Sequence, residues 1–597
     1  MTRLLSTLSL LVALAMGLSA APPARAAPDV AIDWQSWSPA LFERARRNER
    51  FVFLYLEAVW CHWCHVMQQK TFTDAKVQAL LDRHYVVSRV DHDAHPALAN
   101  RYRDWGWPAL IFFGPDGAEI VKRAGYIAPE PFARLLKAIV DDPSPEADGV
   151  AAPQPEDTDP ALLSDSLRAT LRSRHRDAHD DQRGGLDTVQ KFMDRDSVEY
   201  AMVRAAAGDA REAVRARRTL DAALALIDPV WGGAYQYSTG GNWQNPHYEK
   251  IMRTQAGMLR IYARAYAQFE DPAYLDAARA IRGYLLSFLR DPASGAFYVS
   301  QDADLVPGQK AHDYFALDDQ ARRARGMPAI DKSRYALHNG MAIHALVHDY
   351  AFTGEQAALD AALGAARWVV AERGLPEGGF RHDVESSRGP FLGDSLHMGR
   401  ALLALYEATG AREWLMRSAA AADFVMAHFR REGSGFRGAV ADGTPVAAIP
   451  DIDENIAAAR WLNRLHHFTA DPDHADGARH AMRFLAADAT ALSRITDAGI
   501  LLADQEIRSA PLHLTVVGPK GDATTRALLK TALATPRSYR RIELWNPAMG
   551  KLPNHDVSYP NFERPAGYVC NDGRCSAPSF NGEQYAQQIR RLADPAE

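Results

Sequence analysis

The chain has 597 residues, of which 47% are hydrophobic and 24% charged, and its formal net charge is −6. Because a single hydrophobic core stops growing near ~250–300 residues, we expect two or three domains. The composition is that of an ordinary globular protein. Neither the net charge nor any basic run with interleaved aromatic residues indicates a nucleic-acid partner.

The first 26 residues have the pattern of a secretory signal peptide. Arg3 precedes the apolar stretch Leu4–Leu18, and small residues follow at Ala24-Arg25-Ala26. We therefore expect cleavage near Ala26 and a periplasmic or secreted protein; an uncleaved membrane anchor is the alternative. No later segment offers ~20 uninterrupted apolar residues, so no membrane span is expected after cleavage.

Residues 27–141 are predicted to form a small α/β domain with an open sheet. The strands are expected at Phe51–Leu56, Tyr85–Val90, Ala109–Phe113 and Ala118–Val121, and the helices at Cys61–Gln69 and Pro131–Val140. The turn Gly114-Pro115-Asp116-Gly117 makes the last two strands a hairpin.

The remaining chain is predicted to contain a linker, a helical region and a small C-terminal α/β element. Residues 142–160 are rich in Pro, Asp, Glu and Ala, which is typical of a linker. Across residues 161–508, amphipathic stretches alternate with small-residue loops such as Gly232-Gly233-Ala234-Tyr235, repeated every ~50–60 residues. This repetition favours a closed (α/α)-barrel, with an open solenoid as the alternative. Residues 509–597 form the third element.

The sequence around the first cysteine pair indicates thiol–disulfide chemistry. Cys61 and Cys64 lie where a buried strand becomes a helix, and a helix N-terminus favours thiolate over thiol. We expect Cys61 to be the attacking thiolate and Cys64 the resolving thiol, one turn along the helix. His62 could stabilise the thiolate when protonated; a solvated loop histidine is an equal alternative.

Pro108 supports this interpretation. Trp107-Pro108 stands just before a predicted strand, where thioredoxin folds place a cis-proline beside the cysteine pair. Cys-x-x-Cys alone is a weak signal, but the strand before it and the proline after it make the signal specific. We expect Pro108 to be part of the redox site.

The motif also fits two other kinds of site, a c-type haem attachment site and a zinc site. Cys61-His62-Trp63-Cys64-His65 also fits the C-x-x-C-H pattern of c-type haem attachment, but it is embedded in a continuous α/β pattern. Zinc held by both cysteines, His62 and His65 is disfavoured because neighbouring ligands on one turn rarely converge tetrahedrally. The sequence therefore predicts no cofactor and no metal site.

A second cysteine pair, Cys570 and Cys575, flanks a turn near the C-terminus, and these complete the four cysteines of the chain. A structural disulfide is the expected role. The alternative is a second redox pair that exchanges with Cys61 and Cys64, which requires the tail to fold back onto the first domain.

The chain resembles the spermatogenesis-associated protein 20-like family. The resemblance is carried by Trp34-Gln35-Ser36-Trp37, Cys61-His62-Trp63-Cys64-His65-Val66-Met67, Val90-Asp91, Gly106-Trp107-Pro108, Pro246-His247-Tyr248-Glu249-Lys250, Gln301-Asp302-Ala303-Asp304, Tyr568-Val569-Cys570 and Cys575. It implies a multidomain protein: a thioredoxin-like α/β domain ahead of an all-α (α/α)6 toroid, the six-hairpin glycosidase-like barrel.

Several polar residues of the barrel fall in predicted loops and are candidates for a pocket: His247, Glu249, Asp302, Asp304, Asp394 and His397. Carboxylate pairs hydrolyse glycosides when they are ~5–9.5 Å apart, and a histidine could move a proton in an epimerase. The alternative is that these residues, like Asp451, Asp453 and Glu454, cap helices or satisfy buried loops.

These observations favour an exported thiol–disulfide oxidoreductase whose barrel recognises or presents the substrate. Its partners would be a protein thiol or disulfide substrate or an electron donor. The alternatives are a carbohydrate-active barrel, binding a carbohydrate ligand beside an accessory thioredoxin domain, and a non-catalytic binding scaffold.

Overall fold

The computed structural model describes residues 32–146, 160–384, 389–560, 562–571 and 573–593. The predicted signal peptide and most of the predicted linker lie outside these ranges. The described residues form an α/β domain, a ring of helices and a C-terminal α/β domain. Within them, no helix has the length and hydropathy needed to cross a bilayer.

The first domain is a mixed sheet of strand order β2-β1-β3-β4 with helices around it. β1 pairs parallel with β2 and antiparallel with β3, and β3 pairs antiparallel with β4. The strands are Phe51–Glu57 (β1), Tyr85–Asp91 (β2), Ala109–Phe113 (β3) and Glu119–Ala124 (β4); the helices are Pro39–Arg47 (α1), His62–Lys70 (α2), Ala75–His84 (α3), Pro96–Tyr102 (α4) and Pro129–Asp141 (α5). The predicted strands and helices are present, whereas α1, α3 and α4 were not predicted.

The second domain is a closed ring of paired helices. The inner helices are Arg195–Ala206 (α7), Met252–Phe269 (α9), Ala336–Thr353 (α13), Leu392–Thr409 (α15), Ile452–Thr469 (α17) and Ala498–Arg508 (α20). Each contacts the next, and α20 contacts α7. Because the last inner helix meets the first, the region is a toroid, and the open solenoid is excluded.

The outer layer of the ring is formed by Asp165–Asp177 (α6), Ala210–Ala223 (α8), Pro272–Phe288 (α10), Gln356–Arg373 (α14), Arg412–Phe429 (α16) and Pro472–Ala486 (α18). Short elements lie in the connections: His312–Phe315 (α11), Asp319–Arg325 (α12), Asp488–Ala491 (α19), Tyr237–Ser238 (β5), Pro246–His247 (β6), Lys250–Ile251 (β7), Ser300–Gln301 (β8) and Ile330–Asp331 (β9). The helix α6 packs on α20, so the first outer helix completes the sixth hairpin.

The repeated glycine loops predicted from the sequence all have one geometry. Each follows an outer helix and is closed by one antiparallel bridge: 179 with 186, 227 with 234, 290 with 297, 374 with 380 and 430 with 436. Gly232 shows why glycine is needed, since its φ is +69° and a Cβ would lie 2.2 Å from the Ala280 carbonyl oxygen. The repeat therefore reflects a recurring close approach between a loop and an outer helix.

The C-terminal domain has a sheet of order β11-β10-β12-β13. Its elements are Leu512–Val517 (β10), Ala523–Leu533 (α21), Arg540–Trp545 (β11), Ala566–Asn571 (β12), Arg574–Cys575 (β13) and Gly582–Ala593 (α22). Leu512 and Leu514 pack with Ala351, near the end of α13, whereas His338, near its start, contacts Asp93 of the first domain. The two α/β domains therefore cover opposite ends of the ring.

Candidate functional site

Cys61 is the N-cap residue of α2, and its sulfur accepts a hydrogen bond from the Cys64 backbone N–H at 3.1 Å. The two cysteines form a disulfide, and both are buried. The strand β1 ends four residues earlier at Glu57, so the sheet fixes where the helix begins. A sulfur in this position faces the positive end of the helix dipole.

Pro108 lies at the start of β3 and follows a cis peptide bond from Trp107. The ring of Trp107 stacks edge-on against His92, with centroids 4.6 Å apart. Trp60, directly before Cys61, donates its indole N–H to Asp93 at 3.0 Å. Trp60, Cys61 and Cys64 belong to one apolar cluster, and Trp107 packs against it.

The two histidines of the motif point into the barrel loop that follows β8. The Nδ1 atom of His62 lies 2.8 and 3.0 Å from the carboxylate oxygens of Asp304, and the Nδ1 atom of His65 lies 3.2 Å from Asp304 Oδ2. The His62 side chain is only 12% exposed. The alternative of a solvated loop histidine is therefore wrong, because the barrel supplies a buried carboxylate partner.

A short antiparallel sheet brings Glu249 and Asp302 to the same place. Lys250 of β7 pairs with Gln301 of β8, so the next pair outward along the same register is Glu249 with Asp302. Residues directly opposite on antiparallel strands share a face. Asp302 Oδ2 lies 3.8 Å from His65 Nδ1, which places both carboxyl groups beside the cysteine helix.

The loop after Asp304 is held against α2. Gln69 donates its side-chain N–H to the Pro307 carbonyl oxygen at 2.8 Å, and the Gly308 N–H donates to Asp304 Oδ2 at 2.7 Å. The Asp304 carboxylate is thus held by the histidines of α2 and by a backbone N–H of its own loop.

The electrostatics of this cluster follow from burial and from the histidines. Burial raises the pKa of Asp302 to about 7. The charges of Asp304 and Glu249 raise this pKa further, whereas the charge of His65 lowers it. Burial also acts on Asp304, but hydrogen bonds from His62 and His65 outweigh it and lower its pKa. The pKa of His65 is raised because Asp304 and Asp302 outweigh its burial.

A cavity of about 430 Å³ lies between the first domain and the ring. Its lining includes Trp60, His92 and Trp107 from the first domain and Tyr237, Arg253 and His338 from the ring. A connected cavity of about 350 Å³ continues into the lumen past Arg260, His344, His397 and Arg400. The aromatic groups beside Cys61 and Pro108 therefore open onto the interior of the barrel.

Parts of the chain are similar in sequence to a known family and to curated proteins. Residues 19–141 match the Thioredox_DsbH family, described as a protein of unknown function, DUF255. Spermatogenesis-associated protein 20 of Mus musculus is 25% identical over 311 residues, which cover 46% of this chain and 39% of that protein. The resemblance expected from the sequence is confirmed. The chain spans about two fifths of the length of the longer curated relatives that it matches.

Two further similarities concern the separate domains. Thiol:disulfide interchange protein DsbD 1 of Pseudomonas aeruginosa is 32% identical over 100 residues, covering 15% of this chain and 17% of that protein. Cellobiose 2-epimerase from Bacillus thermoamylovorans B4167 covers 54% of this chain and 87% of that structure, with 10% identity and a TM-score of 0.42. The first domain is thus similar in sequence to the Thioredox_DsbH family and to part of DsbD 1.

The other residues predicted for a barrel pocket, Asp394, His397 and His247, do not lie together. Asp394 is fully buried; its carboxylate accepts hydrogen bonds from the Leu337 N–H at 2.8 Å and from His382 at 2.9 Å. These contacts match the alternative role of satisfying a buried loop, and Asp394 is not among the residues that line the two cavities. His397 borders the lumen cavity. His247 stacks on Tyr237 at the edge of the cluster, 3.7 Å from Glu249.

Asp451 and Asp453 have partners in the first domain. Arg103 donates to both carboxylates through its two terminal nitrogens, and Asp451 also caps α17 by accepting the Glu454 N–H. The capping role proposed for these residues is therefore observed for Asp451. No local pattern pairs Arg103 with these carboxylates, because the contact depends on how the domains dock.

Cys570 and Cys575 form a disulfide between the paired strands β12 and β13. This pair lies in the domain at the far end of the ring from Cys61. An inner helix of 18 residues such as α13 separates the two ends by ~27 Å. The tail does not fold back onto the first domain, so the alternative of direct exchange between the pairs is contradicted.

Proposed function

We propose that the chain is an exported thiol–disulfide oxidoreductase in which Cys61 attacks and Cys64 resolves. The observation that carries the proposal is the position of the Cys61 sulfur at the N-cap of α2, where it accepts the Cys64 N–H. Hydrogen bonding and the helix dipole both lower the pKa of such a thiol and so raise the thiolate fraction.

The reaction consists of two exchanges. The Cys61 thiolate attacks one sulfur of a substrate disulfide; a mixed disulfide forms and the other substrate sulfur leaves as a thiolate. The Cys64 thiolate then attacks Cys61 and releases the second substrate thiolate, so the substrate gains two electrons and the protein forms its own disulfide. In the reverse direction, the same two exchanges oxidise a substrate dithiol and leave Cys61 and Cys64 reduced.

The ring would present the substrate to this pair. The cavity between the domains is bordered by Trp60, next to Cys61, and by Trp107, next to Pro108. Apolar and aromatic walls with a few polar groups are typical of binding sites for small molecules and extended segments. This arrangement supports a role in substrate recognition, because the cavity is bordered by the neighbours of both Cys61 and Pro108.

Export is the second part of the proposal. It is supported by the predicted signal peptide and by the two disulfides, since disulfides persist in oxidising compartments. Fractionation of the native host with mass measurement of the mature N-terminus tests it. A chain that begins near Ala27 in the periplasm or medium supports export, and a full-length chain in the cytoplasm overturns it.

The activity is tested by reduction of insulin disulfides with dithiothreitol as electron source. The variant Cys61→Ser should lose the turnover, and Cys64→Ser should accumulate a mixed disulfide with its substrate. The double variant C570S/C575S is the matched control, because it removes the other cysteine pair and should keep the rate. Unchanged turnover in Cys61→Ser would overturn the assignment.

A further inference from the structure

The cluster beside the cysteine helix has the geometry of a metal site. The ligand atoms of His65, Asp302 and Asp304 all lie within 4.8 Å of one another, with His65 Nδ1 3.2 Å from Asp304 and 3.8 Å from Asp302. Ligands that each lie ~2.0–2.2 Å from one zinc ion are separated by ~3–4 Å at tetrahedral or octahedral angles. The three side chains need only small adjustments to meet this requirement.

Glu249 provides an independent observation. The residue is only 4% exposed, and its Oε2 atom has no hydrogen-bond partner. The strand register sets Glu249 opposite Asp302 on the same face of the β7–β8 pair. A buried carboxylate oxygen without a partner costs free energy, and a cation in the cluster would remove that cost.

The charges of the three carboxyl groups and their partners also favour a cation at this cluster. Three carboxyl groups meet here, and within the described part of the chain their ion pairs are all with histidines: His62, His65 and His247. No lysine or arginine of the described residues forms an ion pair with the three carboxyl groups, so their negative charge lacks a permanently cationic partner. A divalent cation would compensate it without protonating any of the carboxylates.

We propose that His65, Asp302 and Asp304 bind a divalent first-row transition-metal ion, such as Zn²⁺ or Mn²⁺, at the junction of the two domains, and that the buried carboxylate of Glu249, opposite Asp302, adds to the negative charge that attracts it. An imidazole combined with carboxylates favours these ions over Ca²⁺ and Mg²⁺. His62 would donate to the free oxygen of Asp304 and hold that ligand in place, as partners of ligating carboxylates commonly do. This site differs from the rejected zinc set because the barrel supplies most of its ligands.

Binding is measured by calorimetric titration of ZnCl2, and separately MnCl2, into the full-length oxidised protein after removal of metals with a chelator. The oxidised form is used because its cysteines are in disulfides and cannot bind zinc as thiolates. We expect one ion per chain, at least tenfold weaker binding in Asp302→Asn and weaker binding in Glu249→Gln.

The matched control is Asp331→Asn, which alters the other carboxylate cluster of the described residues, Asp91, Asp93 and Asp331. It should bind metal like the unchanged protein. Loss of binding in Asp331→Asn with retention in Asp302→Asn would overturn the proposal, and so would the absence of saturable binding of either ion. Circular dichroism in chelator shows whether each variant is folded. The proposal is independent of the redox activity, because no thiol takes part in the titration.

Discussion

His62 on the cysteine helix and Asp304 in the barrel are 242 residues apart in the chain, yet their side chains are hydrogen-bonded at 2.8 Å. The same carboxylate accepts from His65 at 3.2 Å. One buried aspartate therefore connects the cysteine motif to the ring, and residues of both domains meet in a single cluster.

Asp304→Asn should weaken the docking of the two domains. The amide cannot match the charge of the carboxylate, and its N–H₂ group would face the histidines. We expect a loss of ~1–3 kcal/mol in the free energy of unfolding, the cost of a buried polar group left without a good partner. Denaturant unfolding in the presence of a chelator measures it.

The control for this change is Asp313→Asn, at an exposed position in α11. Exposed substitutions of this kind usually change stability by less than ~0.5 kcal/mol. If both variants lose the same amount, the contact between His62 and Asp304 does not stabilise the protein.

Arg103→Ala should be more destabilising. Arg103 of the first domain forms ion pairs with Asp451 and Asp453. Burial by itself would raise the pKa of Asp453, and the charge of Arg103 helps to lower it. The substitution leaves the buried carboxylate of Asp451 without its charged partner, whereas Asp453 keeps Arg494 at 2.6 Å. An unsatisfied buried polar group costs ~1–3 kcal/mol, and more when it is charged. Thermal unfolding followed by calorimetry measures the loss.

Arg323→Ala provides the comparison, because its pair with Asp319 is more than half exposed on both sides. Such pairs contribute ~0–1 kcal/mol. A loss in Arg103→Ala no larger than in Arg323→Ala would mean that the contact with Asp451 and Asp453 is not important for docking.

Local patterns were sufficient to predict most of the elements. The apolar run from Phe51 defines β1, and the spacing of the glycine loops indicates the hairpins of the ring, because each loop follows an outer helix and is closed by one antiparallel bridge. The short helix α4 was missed because it begins at a proline and has only seven residues, too few to show a helical period.

The candidate site was only partly predictable. The cysteines, His62 and the carboxylates Glu249, Asp302 and Asp304 were identified, but as two separate sites. Their meeting depends on domain docking, which no local pattern encodes. His65 lies three residues after His62 and therefore on the same helix face, and this spacing was the one available sign that it shares the same partner.

Asp302→Asn should change how stability depends on pH. The pKa of Asp302 is raised by burial from 3.8 to about 7, so between these values the folded protein holds a proton that the unfolded chain has released. This contribution is complete below pH 3.8 and is lost as the pH rises through about 7. Asparagine does not titrate, so the variant should gain stability relative to the unchanged protein as the pH rises.

Each pKa unit corresponds to ~1.4 kcal/mol, so the difference between the two proteins should grow by at least that amount from acidic to neutral pH. Urea unfolding in chelator at several pH values gives the measurement. A difference that is constant with pH would show that Asp302 is ionised in the folded protein much as it is in the unfolded chain.

Gly399→Ala should destabilise the ring itself. Gly399 lies in α15 where that helix meets α17, and an added Cβ would be 2.1 Å from an aromatic carbon of Trp461. Trp461 cannot move freely, since its N–H donates to Ser418 at 3.2 Å and the Ser418 hydroxyl donates to the Gly399 carbonyl at 2.8 Å. Overpacking of this kind costs ~1–3 kcal/mol.

The same substitution at Gly283 should not destabilise the protein. Gly283 is on the outer helix α10, and a Cβ there would meet nothing within 4 Å. Alanine is favoured over glycine in a helix by up to ~1 kcal/mol, so Gly283→Ala should be neutral or stabilising. Thermal unfolding of both variants distinguishes packing from helix propensity. Equal effects would mean that α15 and α17 are not as close as the Gly399–Trp461 contact requires.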